Sequence, residues 1–331
     1  KRQGDNGLIE RTAAATDPRF AVLQGTLIYS STDQVLIDTA VDGANPADVA
    51  ARHIELFDHD DSTNNAGNFG DDTIAGGADD DVIFGQLGDD DIHGDGLLVN
   101  GTLATLTATI PNSDIGGDDY IEGNGGGDTV YGGLGQDDII GGSSGLFGLD
   151  SASQRPDGAD TLYGGNGDLV SRNNYGETVV NEAGDTVLPD NERHARDADM
   201  ILGDNGNIYR LVGTNGADGG SLLTFAYDNY AAEKIVVRAA ELLDYTPGGH
   251  DFDPAGAASD IGAADEIRGE AGDDFIYGMV GNDILFGDAQ DDDLIGGYGN
   301  DWISGGTGSD GVLGDDGRIY TSPVSYTHLT L

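Results

Sequence analysis

A nine-residue period constrains the fold of this chain more than any other feature. From Asp260 onward the sequence reads DIGAADEIR, GEAGDDFIY, GMVGNDILF, GDAQDDDLI, GGYGNDWIS and GGTGSDGVL. These units share the pattern GGxGxDxUx, in which U is a large aliphatic residue. Three further copies occupy residues 67–93, three occupy residues 114–140, and single copies begin at Arg155 and His194. A fixed period of this length predicts a repeat architecture in which each copy forms one equivalent unit.

Two positions of the repeat keep their chemistry in all fourteen copies. Position six is always aspartate, namely Asp72, Asp81, Asp90, Asp119, Asp128, Asp137, Asp160, Asp199, Asp265, Asp274, Asp283, Asp292, Asp301 and Asp310. Position eight is always aliphatic, namely Ile74, Ile83, Ile92, Ile121, Val130, Ile139, Leu162, Ile201, Ile267, Ile276, Leu285, Leu294, Ile303 and Val312. Position four is glycine in ten copies, the exceptions being Asp79, Asp197, Ala263 and Gln290. A glycine-rich chain imitates one copy by chance, but it does not hold two positions fixed over fourteen.

Charge restricts the partners of the chain. Its 61 acidic residues against 14 lysines and arginines give a formal net charge of -47. A compact fold with that charge repels itself unless it binds cations, and 37% hydrophobic residues are too many for a disordered acidic tail. This charge disfavours nucleic acid and anionic membrane surfaces as partners because both are negative. No apolar run approaches the roughly 20 residues of a membrane span, and the absence of cysteine excludes disulfides.

The fourteen units resemble the nonapeptide of the repeats-in-toxin (hemolysin-type) family, a calcium-binding β-helix repeat. The resemblance implies an all-β fold, a parallel β-roll that winds as a right-handed solenoid of nonapeptides and carries hairpin and loop insertions. It implies several Ca²⁺ ions as cofactors, with the fourteen position-six aspartates as ligands and carbonyl groups of the glycine-rich positions completing each site. It further implies type I secretion and an extracellular location, either in the medium or at the cell surface.

The chemistry of the repeat agrees with that fold. The glycine-rich half of each unit supplies positive φ and close backbone approach, which favours a turn, and the xUx half is a minimal strand with U pointing inward. Equivalent turns stack about 4.8 Å apart, where two carboxylates repel by roughly 3 kcal/mol. Burial of one isoleucine returns only about 1.5–3 kcal/mol. A Ca²⁺ ion between turns reverses this balance, and a wide, carbonyl-rich turn suits Ca²⁺ better than Mg²⁺.

The repeat blocks end where position six becomes apolar, and there we expect the chain to leave the roll. The residues at position six of these exit units are Val99, Leu146, Leu169, Ile208 and Ile319. Asp160 and Asp199 lie in single copies, so they lack a stacked neighbour in sequence, and we expect Asp283→Ala to be more harmful than Asp160→Ala. A lone nonapeptide cannot bury its position-eight residue, which favours one or two long rolls over several separate ones.

These boundaries divide the chain into repeats and insertions. Repeat blocks occupy residues 67–98, 114–145 and 260–319, and single repeats occupy 155–168 and 194–207. Insertions occupy 10–66 (β-rich), 99–113 (a hairpin), 146–154 (a loop), 169–193 and 208–259 (β-rich), and another begins at 320–323. Residues 1–9 begin with Lys1 and resemble the exit of a preceding block, so we expect the sequence to be a fragment of a longer array. Residues 324–331 include VSYTHL, which matches a back-translated sequencing adaptor, and we interpret them as non-protein sequence.

The insertions carry strand patterns. Residues 19–37 and 97–110 predict hairpins, the second around the Asn100-Gly101 turn, and residues 52–57 and 222–227 predict strands. Residues 234–245 are also interpreted as strand, although the run 231–243 fits an amphipathic helix as well. Specific binding by this chain belongs to such insertions, but the sequence does not name their partner.

Three local motifs carry less weight than the repeat. Residues 141–145 match GxSxG, but a nucleophile elbow lies between a core strand and a helix, and a poor helix follows here. His53 and His59 flank an acidic stretch that is more typical of a solvated loop than of a metal site. Residues 251–253 begin like an EF-hand loop, but Gly262 stands in place of its closing glutamate. The sequence therefore predicts no catalytic residue.

These observations indicate a calcium-binding, non-enzymatic structural module of a secreted protein, which folds on Ca²⁺ binding after export. Two alternatives stay open. The repeats can be the C-terminal-type region of an exoenzyme whose catalytic domain lies outside this sequence, or part of an adhesin or surface-layer component that binds through the insertions. The complete open reading frame separates them, because an upstream catalytic domain favours the first and many insertion-bearing blocks favour the second.

Overall fold

The computed structural model describes residues 7–10, 17–22, 52–59, 69–99, 102–104, 116–167, 179–180, 186–187, 197–213, 220–230, 233–248 and 252–319. Within these ranges the regular structure consists of strands and two short 3₁₀ helices, Ala152–Gln154 and Ala257–Ser259. None of the helices in the described ranges is long and apolar enough to cross a membrane.

Two seven-stranded parallel sheets form the walls of one β-roll. Sheet 1 contains β4 (Thr73–Ala75), β6 (Asp91–His93), β10 (Thr129–Tyr131), β12 (Thr161–Tyr163), β20 (Glu266–Ala271), β22 (Ile284–Ala289) and β24 (Trp302–Thr307). Sheet 2 contains β5 (Val82–Leu87), β9 (Tyr120–Gly125), β11 (Asp138–Ile140), β15 (Met200–Leu202), β21 (Phe275–Val280), β23 (Asp293–Tyr298) and β25 (Gly311–Leu313). Each repeat contributes one strand and consecutive repeats alternate between the sheets. The predicted all-β, parallel β-roll is therefore confirmed.

The roll continues across the insertions as one body. β12 pairs in parallel with β20, which places Leu162 opposite Ile267 despite the long segment between them. β15 pairs in the same way with β21, which places Ile201 opposite Ile276. The single repeats that begin at Arg155 and His194 in sequence are thus internal coils, and the described residues form one roll rather than several.

Position-eight side chains form the inner core between the two sheets. Twelve of them, from Ile74 to Leu294, make one buried cluster. Burial of each contributes about 1.5–3 kcal/mol, so the row of aliphatic residues is a large stabilising element of the roll. In the last described coil Ile303 is partly buried and Val312 is 45% exposed, because β24 and β25 end their sheets.

A second core covers the outer face of sheet 2. The strand residues that point outward there are largely apolar, namely Val82, Phe84, Tyr120, Ile140, Met200, Leu202, Tyr277 and Ile295. Insertion residues pack on them, namely Ile54, Leu56, Phe147, Leu149, Ile208 and Tyr245. The ring of Phe147 meets that of Phe84 edge-on, with 4.9 Å between centroids. The insertions are therefore folded back onto the roll instead of standing apart from it.

The insertion strands form small sheets beside the roll. β1 (Gly7–Glu10) pairs with β3 (His53–Leu56), β7 (Leu97–Val99) with β8 (Thr102–Ala104), β13 (Val179–Val180) with β14 (Thr186–Val187), and β17 (Thr224–Tyr230) with β18 (Glu233–Val236), all antiparallel. β2 (Phe20–Val22), β16 (Gly206–Val212) and β19 (Arg238–Leu242) form a three-stranded sheet.

Most predicted insertion strands are present where they can be described. The antiparallel β7–β8 pair agrees with the hairpin predicted over residues 97–110 as far as Ala104, and the rest of that hairpin lies outside the described residues. β18 and β19 show that the described part of the 231–243 run forms strands rather than a helix. β3 and β17 confirm the strands predicted at residues 52–57 and 222–227. The hairpin predicted over residues 19–37 lies, beyond Val22, outside the described residues.

Buried ion pairs fasten one insertion to the roll. Asp138 on sheet 2 accepts from Arg210 Nε at 2.6 Å and from Arg238 Nε at 2.9 Å. Arg210 also donates to the carbonyl oxygen of Gln136 at 2.6 Å. Although burial favours the neutral form, the two guanidinium groups hold the pKa of Asp138 below its usual value. The charge of Asp138 is thus matched by the insertion that covers it.

Candidate metal centre

The position-six aspartates line the turns of the roll in two rows. Row 1 contains Asp72, Asp90, Asp128, Asp160, Asp265, Asp283 and Asp301, and row 2 contains Asp81, Asp119, Asp137, Asp199, Asp274, Asp292 and Asp310. Within a row, the backbone N–H of each aspartate donates to Oδ1 of the aspartate one coil later, at 2.7–3.3 Å. In all of these aspartates except Asp72 and Asp81, which begin the two rows, one carboxylate oxygen therefore fixes the stacking of the turns.

The second carboxylate oxygen is left over in most members of both rows. Oδ2 is buried and has no hydrogen-bond partner among the described residues in Asp119, Asp128, Asp137, Asp160, Asp199, Asp265, Asp274, Asp283, Asp292 and Asp301. None of these ten carboxylates forms an ion pair with a described arginine or lysine. Burial of an unpaired carboxylate oxygen costs free energy. The folded rows are therefore stable only if a cation binds to these oxygens or if the carboxylates take up protons.

The glycine at position one faces this leftover oxygen. A Cβ built on Gly85 would lie 2.5 Å from Asp90 Oδ2 and 2.6 Å from the carbonyl oxygen of Gly123 in the next coil. Gly278 has the same relation to Asp283 Oδ2, at 2.5 Å, and to the carbonyl oxygen of Gly296, at 2.7 Å. Any side chain would enter a space lined by carboxylate and carbonyl oxygens. These are the oxygen ligands that Ca²⁺ prefers.

Two of the four residues that replace glycine at position four have positive φ. Asp79 and Gln290 both adopt the left-handed region, with φ of 63° and 88°. This conformation is costly for a residue with a Cβ, so the stacked turn, and not the local sequence, imposes it. The other two exceptions, Asp197 and Ala263, stand where the chain re-enters the roll after an insertion.

Burial and neighbouring carboxylates raise the pKa of the row aspartates. Burial raises the pKa of Asp283 to about 7, with the charge of Asp301 adding to the effect. It raises the pKa of Asp128 to about 8. Deeper in row 2, burial and then the charge of Asp137 hold the pKa of Asp199 well above its usual value. In this geometry the ionised rows are unstable unless positive charge is added.

The available donors fit Ca²⁺. No three acidic or imidazole side chains among the described residues come together to hold a metal ion. A cation in a row therefore needs backbone carbonyl oxygens as well as carboxylates, and the space beside each position-one glycine offers both. Ca²⁺ takes six to eight such oxygens in flexible geometry, whereas Mg²⁺ demands a smaller octahedral shell.

Comparison with known families points to the same chemistry. A family model described as RTX calcium-binding nonapeptide repeat (4 copies) matches residues 66–96, 115–144, 157–168, 262–294 and 286–318. The chain carries RTX calcium-binding repeats. Such repeats bind Ca²⁺, so their number gives this chain multiple calcium sites. No curated protein and no solved structure matches the chain. The matched ranges leave out the copy at residues 194–202, whose Asp199 nevertheless occupies the fourth place in row 2.

Each insertion that separates two RTX repeats interrupts a turn and returns to the same turn. The position-one glycine before the insertion faces Oδ2 of the position-six aspartate after it. The four pairs are Gly94 with Asp119, Gly141 with Asp160, Gly164 with Asp199, and Gly203 with Asp265. Counted back from these aspartates, the chain leaves after position two and re-enters at position three. The exit predicted at position six is therefore wrong, because the departing and returning segments together build one complete turn.

This arrangement also corrects the expectation for the single repeats. Asp160 accepts from the N–H of Asp128 at 2.7 Å, and its own N–H donates to Asp265 at 2.8 Å. Asp199 has the same two contacts with Asp137, at 2.7 Å, and Asp274, at 2.8 Å. Both residues are stacked on both sides, so the expectation that they lack neighbours is wrong.

Two further aspartates of the interrupted turns were not predicted from the repeat. Asp95 accepts from the N–H of Gly117 at 3.3 Å and of Leu134 at 2.6 Å. Asp204 accepts from the N–H of Ala263 at 2.9 Å and of Val280 at 2.7 Å. Both occupy position two and bridge the returning segment to the next coil. A Gly-Asp pair that opens an exit unit is the sequence pattern that reveals them.

The GxSxG match is part of a buried polar network. Ser143 is fully buried, and its hydroxyl accepts from Asn124 Nδ2 at 3.2 Å. The neighbouring Ser144 hydroxyl donates to Glu122 Oε1 at 2.7 Å, and Tyr120 donates to the same carboxylate at 2.7 Å. The two serines of this motif thus belong to a buried network between an insertion and sheet 2.

The remaining motifs lie apart from the rows. His59 is buried, which lowers its pKa to about 4. His53 lies on an exposed position of β3, with 4.0 Å between its Nε2 and Glu55 Oε2. Asp253 accepts from the N–H of Ala255 at 2.9 Å, as in an ordinary turn, and Asp251 lies outside the described residues.

Proposed function

We propose that this chain is a structural module of a secreted protein whose RTX roll folds when Ca²⁺ binds between stacked turns. The fourteen position-six aspartates are the side-chain ligands in this proposal, and carbonyl oxygens beside the position-one glycines complete each site. The module has no catalytic role of its own. Low cytosolic calcium leaves the chain unfolded for export by type I secretion, and extracellular calcium folds it.

The observation that carries this proposal is the row of buried Oδ2 atoms without partners. Folding places these oxygens beside one another and removes water from them. In the absence of a cation the cost of burying each charge opposes the gain from the inner core. A divalent ion removes the cost at many turns together, so the binding free energy of calcium becomes folding free energy.

A calcium titration followed by far-UV circular dichroism tests the proposal. The wild-type chain should be largely disordered in chelator and gain β structure in millimolar calcium, with millimolar magnesium a poor substitute. Asp128→Asn should shift the calcium midpoint upward. Asp91→Asn, which makes the same charge change on the exposed outer side of sheet 1, is the matched control and should leave the midpoint in place. Equal β content with and without calcium contradicts the proposal.

A surface component that binds through its insertions is the second candidate. Two insertion residues, Phe57 and Phe252, expose 42% and 45% of their surface, which favours contact with a partner outside the roll. Reading the complete gene tests this idea. Further insertion-bearing RTX blocks support a surface role, and a catalytic domain beside the repeats instead supports the tail of an exoenzyme.

A further inference from the structure

Two interrupted turns lie directly on top of each other in row 1. The turn that runs from Gly141 to Asp160 stacks on the turn from Gly203 to Asp265, as the bond from Asp160 N–H to Asp265 Oδ1 shows. In row 2 the intact turn of Asp137 separates the interrupted turns of Asp119 and Asp199. At this stacked pair in row 1, the residues where one insertion leaves and re-enters the roll therefore lie next to those of a second insertion.

Additional carboxylates come together at this junction. Asp157, at position three of the first turn, lies against Asp204, at position two of the second. Both carboxylate oxygens of Asp157 are shielded from solvent, and no described N–H group donates to them. A Cβ built on Gly142 would lie 2.5 Å from Asp157 Oδ1 and 2.5 Å from Asn205 Oδ1. The absence of a side chain at Gly142 thus leaves a space bordered by two oxygens.

Among the described residues, the surroundings add negative charge and no unpaired positive charge. Asp160 is 3% exposed, its Oδ2 is unpaired, and its charge acts on Asp157 more strongly than that of any other residue. Arg155 is near in sequence, but its guanidinium group donates hydrogen bonds to residues outside the junction. Its Nε and Nη2 donate to Asp244 at 2.7 and 2.9 Å, and its Nη1 donates to the carbonyl oxygen of Leu149. The arginine nearest in sequence is therefore not available to neutralise these carboxylates, and no other described arginine or lysine pairs with them.

The geometry points to an additional Ca²⁺ site at this junction, held by the carboxylates of Asp157 and Asp204 and the amide oxygen of Asn205. It is separate from the sites that the nonapeptide pattern gives, since none of the three residues occupies position six. Two carboxylates and one amide leave places for backbone carbonyls and water, as Ca²⁺ coordination allows. The ion connects the ends of insertion 143–156, where it joins the roll, to the ends of insertion 205–261. This inference rests on the proposed function, because the junction forms only in the folded roll.

Counting bound ions tests the inference. Native mass spectrometry of the full chain in calcium should show one ion fewer for Asp157→Asn than for wild type, and the full complement for the control Asp91→Asn. Asp157→Asn is the decisive variant because it removes no hydrogen bond to the backbone, whereas Asp204→Asn weakens two. An unchanged ion count in Asp157→Asn overturns the inference.

The melting temperature, Tm, of Asp157→Asn in saturating calcium is a second test. A calcium ligand and a merely crowded carboxylate at this position predict Tm changes of opposite sign. If Asp157 binds calcium, Asp157→Asn lowers the Tm. If Asp157 is only a crowded carboxylate, the same change relieves repulsion and raises the Tm, which overturns the inference. A wild-type chain that binds no calcium at all contradicts the proposed function itself, so the two failures are distinguishable.

Discussion

The backbone N–H of Asp160 donates to the carboxylate of Asp265 at 2.8 Å, although 105 positions, with two insertions and the single repeat of Asp199, separate the two residues. The same bond joins Asp265 to Asp283, only 18 residues away within an uninterrupted block. Local continuity of the repeat therefore does not decide which turns stack. A position-six aspartate occupies its place in a row whether its repeat stands alone or in a block.

Asp160→Asn should raise the calcium midpoint of folding at least as much as Asp283→Asn. Both residues stack on both sides, but Asp160 also completes a turn that closes an insertion. A circular dichroism titration of each variant measures the two midpoints. A markedly smaller shift for Asp160→Asn would support separate repeat blocks and contradict the continuous roll.

Acid should promote folding of the calcium-free chain. Burial raises the folded-state pKa of Asp283 to about 7 and of Asp128 to about 8, whereas an unfolded aspartate titrates near about 3.9. The folded roll therefore binds more protons, and this contribution to stability is complete below about pH 4 and lost as the pH rises through 7 and 8. Far-UV circular dichroism without calcium should show β structure decreasing from pH 4 to pH 8.

Calcium should reverse that pH dependence. Protons and Ca²⁺ compete for the same carboxylates, so the calcium midpoint should rise as the pH falls from 8 to 5. Titrations at three pH values in this range measure the trend. A midpoint that stays constant would show that the row aspartates do not take part in binding.

The sequence predicts the rows because their spacing is a property of the repeat. Period two within each xUx segment places Ile201 inside the roll, and the constant position six places Asp199 in line with its neighbours, even for a lone copy. The ion pair of Asp138 with Arg210 was beyond prediction. It joins a roll strand to an insertion strand 72 residues away, and no local pattern specifies which insertion covers which face.

The position-two aspartates Asp95 and Asp204 likewise could not be predicted from the repeat pattern. In the sequence, Asp204 resembles an aspartate of an ordinary polar loop, except that it follows Gly203 at the start of an exit unit. Its role depends on Ala263 and Val280, which the chain reaches after a long insertion. The repeat gives the spacing of intact turns, whereas the interrupted turns depend on tertiary structure.

Arg210→Leu should destabilise the calcium-bound chain by about 3–5 kcal/mol, because it leaves the buried Asp138 with one guanidinium partner fewer. Urea unfolding in saturating calcium measures the change. Arg268→Leu is the control. Arg268 is 30% exposed and its closest carboxylate lies at 3.4 Å, so its loss should cost less than about 1 kcal/mol. Similar values for the two variants would contradict the anchoring role of Arg210.

Ile201→Ala should cost about 2–5 kcal/mol in the same assay, because it opens a cavity in the inner core of the roll. Ile284→Ala makes the same change on the outer side of sheet 1, where the side chain is 37% exposed, and should cost less than about 1 kcal/mol. Equal costs would mean that the single repeat at residues 194–202 is not an internal coil.

A crystal structure of the calcium-loaded chain, with anomalous scattering to locate the ions, tests the central claim most directly. The account predicts an ion in contact with Oδ2 of each stacked position-six aspartate and with a glycine carbonyl oxygen, including the interrupted turns of Asp160 and Asp199. Rows in which these Oδ2 atoms contact only water or one another, while calcium lies elsewhere on the protein, would contradict it.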